Sequence, residues 1–109
     1  MGKSTVLFDG QIGRQSERVW LEWRRDDLQL SSQELGPALE PFFGEDEIEV
    51  FITVRAAQLP ELARALGCES IAPSIQAAMV ARYLGDFAVT SHFAALLAEH
   101  DIRHGYAVI

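Results

Sequence analysis

Hydrophobic and polar residues alternate with a period of two through the first half of the chain. In residues 18–25, Val19, Leu21 and Trp23 share one parity, and Arg18, Trp20, Glu22 and Arg24 share the other. Strict alternation is the mark of a strand with one buried and one wet face, as in an antiparallel sheet. Residues 47–54 repeat it: Ile48, Val50, Ile52 and Val54 point one way, and Glu47, Glu49, Phe51 and Thr53 the other. The opening STVLFDG reads as a strand closed by a turn at Asp9-Gly10, and LQLS as a short strand after a turn at Asp26-Asp27. Between LQLS and Glu47, Pro37 starts a predicted helical turn that packs down Leu39, Phe42 and Phe43. Pro41 keeps that turn short and Gly44 ends it.

After Arg55 the period lengthens to that of a helix. LPELARALG has Pro60 near its start and Gly67 at its end, with Leu59, Leu62, Ala63 and Leu66 as its apolar stripe. A second helix starts near Pro73, with Ile75, Ala78, Met79 and Leu84 on or near one face. A third is capped by Thr90 or Ser91 and turns Phe93, Leu96 and Leu97 inward. Residues 102–108 supply a last strand. Strands first and helices afterwards predict an α+β fold: an antiparallel sheet of four to five strands with about three helices packed on one face. One domain over residues 1–109 is expected.

Composition narrows the function classes. A hydrophobic share of 49% is that of a folded domain rather than a disordered tail. A net charge of −7 disfavours nucleic acid and anionic membrane and favours a basic protein partner. The first residues lack the apolar core of a signal peptide, and no run has the ~18 apolar residues of a membrane span. The single cysteine, Cys68, can form no disulfide within the chain. These features predict a cytoplasmic protein.

The charge is uneven. Residues 1–25 hold five basic and three acidic groups, whereas residues 26–54 hold eight acids and no lysine or arginine. Mixed charges would solvate such a segment equally well, so the one-sided choice suggests a negative lip that steers a cationic partner. Glu45, Asp46, Glu47 and Glu49 are the candidate charges. The plainer reading is a solubilising, aggregation-resistant edge. Trp20 faces away from Val19, Leu21 and Trp23, and Phe51 away from Ile52. If the two meet on the open face, they form an apolar centre rimmed by Arg18, Arg24, Glu47 and Glu49, the anatomy of a protein–protein hot spot. The plainer reading is that a helix or the Phe42-Phe43 segment covers Trp20, and the same holds for Phe51.

Catalytic patterns are absent. His92, His100 and His104 make no HExxH or paired-cysteine arrangement, so neither a metal nor another cofactor is expected. Cys68 follows a helix C-terminus, where a thiolate gains nothing from the dipole. No serine sits in a GxSxG elbow. Gly10 and Gly13 in DGQIG read as turn residues rather than a phosphate cradle. The abundance of carboxylates leaves a general acid–base pair open by residue type alone.

QELGPALEPFFGEDEIEVFITV resembles the core of small bacterial proteins with a DLG…FFG…EYE pattern, some of them placed with immunity-type proteins of toxin systems. Glu34-Leu35-Gly36, Phe42-Phe43-Gly44 and Glu47-Ile48-Glu49 carry the resemblance, with Ile48 where the pattern has an aromatic residue. It covers residues 28–67 and implies no catalytic residue. The leading expectation is therefore a non-enzymatic immunity or inhibitor protein that docks an acidic surface on a basic toxin or effector domain, through Trp20, Glu45, Asp46, Glu47, Glu49 and Phe51. The alternatives are a small enzyme or ligand-binding domain with a carboxylate-lined cleft between sheet and helices, and a structural homodimer joined through the open sheet face.

Overall fold

The computed structural model describes residues 4–36 and 47–109. Strands β1 (Thr5–Ile12), β2 (Gln15–Arg24), β3 (Asp27–Leu35) and β4 (Glu47–Val54) are followed by a 3-10 turn (Ala56–Gln58) and helices α1 (Leu59–Leu66), α2 (Ala72–Tyr83) and α3 (Val89–Glu99). Strand β5 (Gly105–Val108) closes the order. The strands lie in one five-stranded sheet in the order β1-β2-β3-β4-β5, each pair antiparallel. This is the predicted α+β architecture. No described helix is long and apolar enough to cross a membrane.

The alternation read in the sequence decides which face is covered. Val19, Leu21, Leu28, Leu30, Ile52 and Val54 are buried against Leu62 and Ala63 of α1, Ile75, Met79 and Tyr83 of α2, and Val89, Phe93, Leu96 and Leu97 of α3. Each large apolar side chain buried there contributes about 1.5–3 kcal/mol. Gln76 adds a polar tie, donating to Thr5 Oγ1 at 2.7 Å and accepting from Trp23 Nε1 at 3.0 Å, so that α2 holds β1 to β2. Gly67 ends α1 in the left-handed region (φ 75°), and its N–H returns to Ala63 and Arg64.

Several local expectations are corrected. The chain does not turn at Asp9-Gly10: β1 runs on to Ile12 and reverses at Gly13 (φ 61°) and Arg14. Gly10 instead pairs with Glu17, and the Phe8 ring folds over it, so close that an added Cβ would lie 2.6 Å from Phe8 Cζ. The next reversal is at Arg25 (φ 58°) and Asp26, and Asp27 already belongs to β3. β3 extends far beyond LQLS because β2 and β4 pair with it along its length, and their ladders carry its polar second half. Leu84 is exposed, and the buried residue at the end of α2 is Tyr83. α3 starts at Val89, ahead of Thr90 and Ser91, and Asp86 Oδ1 accepts the Ala88 N–H at 2.8 Å at its entrance. The helical turn expected at residues 37–43 lies outside the described residues.

Candidate functional site

The helices pack on one face of the sheet, and the register defines the other. One cross-strand row there runs Val6, Trp20, Ser31, Phe51, Ala107. Trp20 and Phe51 are both half-buried, and Ser31 between them is fully buried although it faces away from the helices. The two aromatic residues flank Ser31 in this row. Trp20 and Phe51 therefore share a face as expected, but β3 separates them: they are two anchors about 10 Å apart across two strand spacings, not a stacked pair.

Polar contacts fix the surroundings. Trp20 Nε1 donates to Glu22 Oε1, and Glu22 Oε2 lies 3.4 Å from Arg24. The next row toward the far end of the sheet holds Arg18, Gln33 and Glu49. Gln33 Nε2 donates to Glu47 Oε1 at 2.6 Å, which ties the first residue of β4 to β3. Glu47 and Glu49 thus share the face of Trp20 and Phe51. Glu45 and Asp46 lie outside the described residues.

The described acids of residues 26–54 do not form one lip. Asp26 and Asp27 lie at the β2–β3 reversal, at the end of the sheet opposite Glu47, and Asp27 Oδ1 accepts the Ala56 N–H at 2.8 Å. Glu34 sits at the end occupied by Glu47 and Glu49 but on the helix-facing side, in register with Ile48. The turns between strands dictate this scatter, because acids close in sequence fall on opposite faces or opposite ends. What survives of the negative surface among the described residues is Glu47 and Glu49, with Glu22 beside Arg24.

Glu34 belongs to a second arrangement. It stands directly opposite Glu17 on β2, and both line a cavity of ≈ 200 Å³ with Phe8, Gly10 and Phe87. Phe87, from the α2–α3 connection, is 72% exposed, a large apolar side chain left in water at the rim. The Glu17 carboxyl is pushed up to about 7 by burial first, then by its hydrogen bond to Glu34 and that group's charge. Neither acid of this cavity was among the site residues expected from the sequence. The signal was in the alternation: Glu17 shares the parity of Val19 and Leu21, and Glu34 that of Leu28 and Leu30, so both acids take inward positions at the ends of their strands.

A raised carboxyl pKa means that folding favours the neutral acid. The resulting stability is fully present below the ordinary value of 4.5 and is lost as pH rises through about 7. Glu17→Gln is therefore expected to flatten the pH dependence of unfolding. Above pH 7 it gains about 1 kcal/mol over the wild type after discounting for solvent screening, and below pH 4.5 it gains none. Urea unfolding across that range measures it; a variant that tracks the wild type at every pH would refute a shared proton.

The histidines are dispersed. His92 Nδ1 meets Asp86 Oδ2, the carboxylate that also accepts the Ala88 amide at the entrance to α3. Burial is the largest single influence on Asp86 and opposes its ionisation, but the hydrogen bonds from His92 and Ala88 and the His92 charge together outweigh it, holding its carboxyl below the usual range. His100 lies at the C-terminal end of α3. His104 Nδ1 lies 2.8 Å from the Ile102 carbonyl. Among the described residues no three His, Cys, Asp or Glu side chains are grouped to hold a metal ion. Cys68 is half-buried against the core.

Together these features define a small α+β meander whose second sheet face, free of helices among the described residues, bears two aromatic residues and carboxylates. No family model, curated protein or solved structure matches the chain.

Proposed function

We propose that the chain is a non-enzymatic protein-binding module that docks its helix-free sheet face on a basic protein, in the manner of an immunity or inhibitor protein acting on a toxin or effector domain. One observation carries this reading: Trp20 and Phe51 flank buried Ser31 in a single row, with Glu47 and Glu49 on the same face. Apolar anchors within a charged rim are how specific interfaces concentrate their energy, and the carboxylates select a cationic surface. The acidic contribution is local to the start of β4 rather than spread over the middle third of the chain.

The test is affinity capture from the native cell with wild-type protein and with the Glu47→Lys, Glu49→Lys double variant as parallel baits. A basic protein retained by the wild type and lost by the variant, with the variant's unfolding midpoint unchanged, is the expected result. Equal retention by both baits defeats the electrostatic reading. Self-association through the same face, read by light scattering, would replace it with the homodimer.

The Glu17–Glu34 cavity favours a second reading, a small-ligand domain. A half-buried carboxyl titrating near neutrality beside two phenylalanines is a common feature of ligand sites.

A further inference from the structure

The opposite end of the sheet carries the reverse charge. Arg55 directly follows β4, and Arg103 and His104 directly precede β5. The β4–β5 ladder ends with Thr53 opposite Gly105. Arg55 and Arg103 therefore both lie just past the end of that ladder. Both arginines line a cavity of ≈ 360 Å³ with Ala57, Gln58, His104 and Gly105, a lining without a carboxylate. The ion pairs among the described residues are Arg24–Glu22 and His92–Asp86, so neither Arg55 nor Arg103 takes part in one. Asp27, the acid whose carboxylate reaches the neighbouring 3-10 turn, is engaged by the Ala56 amide.

The walls are held in place. Ile102, 3% exposed, anchors the segment before Arg103 and donates its N–H to the Leu97 carbonyl at 2.8 Å. His104 is tied through Nδ1 to the Ile102 carbonyl, which leaves Nε2 as its free ring atom. On the other wall the 3-10 turn is closed by the Gln58 N–H to the Arg55 carbonyl at 2.8 Å. Two guanidinium groups are thus gathered at one cavity in a chain of net charge −7, with no carboxylate among the described residues that line it and Asp27 as the charged neighbour on the Ala56 amide.

We propose that the cavity bounded by Arg55, Arg103 and His104 is a binding site for the phosphate group of a small phosphorylated molecule. An anion between the two arginines relieves their repulsion and satisfies donors that have no protein partner. Guanidinium forks match phosphate oxygens in bidentate fashion, and two guanidinium charges match the doubly charged phosphate better than a singly charged carboxylate. The cavity is also roomier than one phosphate requires, which leaves space for the body of the molecule. This site is independent of the helix-free face, and its test does not involve that face.

The experiment is a titration of the full chain with inorganic phosphate, followed by NMR of backbone amides and arginine side-chain N–H groups, with sodium chloride and sodium acetate as arms at matched ionic strength. Saturable shifts confined to Arg55, Gln58, Arg103, His104 and Gly105 are expected with phosphate, with only weak drift in the other arms. Arg55→Gln and Arg103→Gln should each weaken phosphate binding about tenfold or more, the loss of a charge-assisted pair. Both side chains are exposed, so both variants should fold, and their thermal unfolding in phosphate-free buffer checks this. Phosphate should raise the wild-type unfolding temperature and leave that of the double variant unmoved. Shifts no larger than those with chloride, equal shifts with acetate, or phosphate binding that survives both substitutions would each overturn the assignment.

Discussion

Truncating Phe93 to alanine is expected to cost about 3–5 kcal/mol of folding stability, the range for removing a large aromatic side chain from a packed core. Phe93 is fully buried and among the largest such side chains in the molecule. Its ring meets that of Tyr83 edge-on, with centroids 6.0 Å apart and an interplanar angle of 80°, so α3 is keyed to the end of α2 through this pair. The substitution removes both the transfer energy of the ring and an edge-to-face contact of about 0.5–1.5 kcal/mol, and it leaves a void. Domains of this size are stable by about 5–15 kcal/mol in total, so the loss is a large fraction of the whole. Urea unfolding measures it: the midpoint should fall sharply with the slope unchanged. A loss below about 1 kcal/mol would mean that α3 does not seal the core as described.

The second large effect falls on binding. Trp20→Ala should weaken association with the basic partner recovered by capture by about 2–4 kcal/mol, the loss typical of an aromatic hot-spot residue. Trp20 lies on the face opposite the helices and is only half-buried, so its removal opens no hole in the core around Leu21 and Leu30. The stability change should therefore be small beside the binding change. The comparison separates two kinds of contribution. Loss of the indole should act through faster dissociation, whereas Glu47→Lys with Glu49→Lys should act through slower, more salt-sensitive association. Titration calorimetry and surface-based kinetics on the purified pair read both. Binding by Trp20→Ala that equals the wild type would move the interface elsewhere.

The three distinctive regions lie at different places on one sheet. The aromatic row crosses the helix-free face; the Glu17–Glu34 cavity opens on the helix-facing side at the end where β4 begins; the Arg55–Arg103 cavity sits at the end where β4 stops. Glu17, Glu34, Glu47 and Glu49 stand at the first of these ends, with Arg18 in the Glu49 row, and Arg55 and Arg103 at the second, with Asp26 and Asp27, so charges of both signs occur at each end.

The sequence by itself determined the architecture and the sidedness of the strands. Parity alone placed Val19, Leu21, Ile52 and Val54 inward and Trp20, Glu47, Glu49 and Phe51 outward, because a pleated strand must send successive side chains to opposite faces. Helical spacing likewise identified Leu62, Ile75, Met79, Phe93 and Leu97 as core. Only the tertiary structure decided which residues from different strands meet. Strand register depends on where the chain reverses, and the reversals at Gly13 and Arg25 fell several residues and one residue from where the dipeptides Asp9-Gly10 and Asp26-Asp27 suggested. The reversal at Arg25 set Glu17 against Glu34 and Trp20 against Ser31, while the pairings of β4 set Phe51 beside Ser31 and brought Arg55 and Arg103 to one cavity. Run-length along the chain could make eight acids look like one surface; the folding of strands back on one another sent the described ones, Asp26, Asp27, Glu34, Glu47 and Glu49, to two faces and two ends, since neighbours in sequence stay neighbours in space only until the next turn.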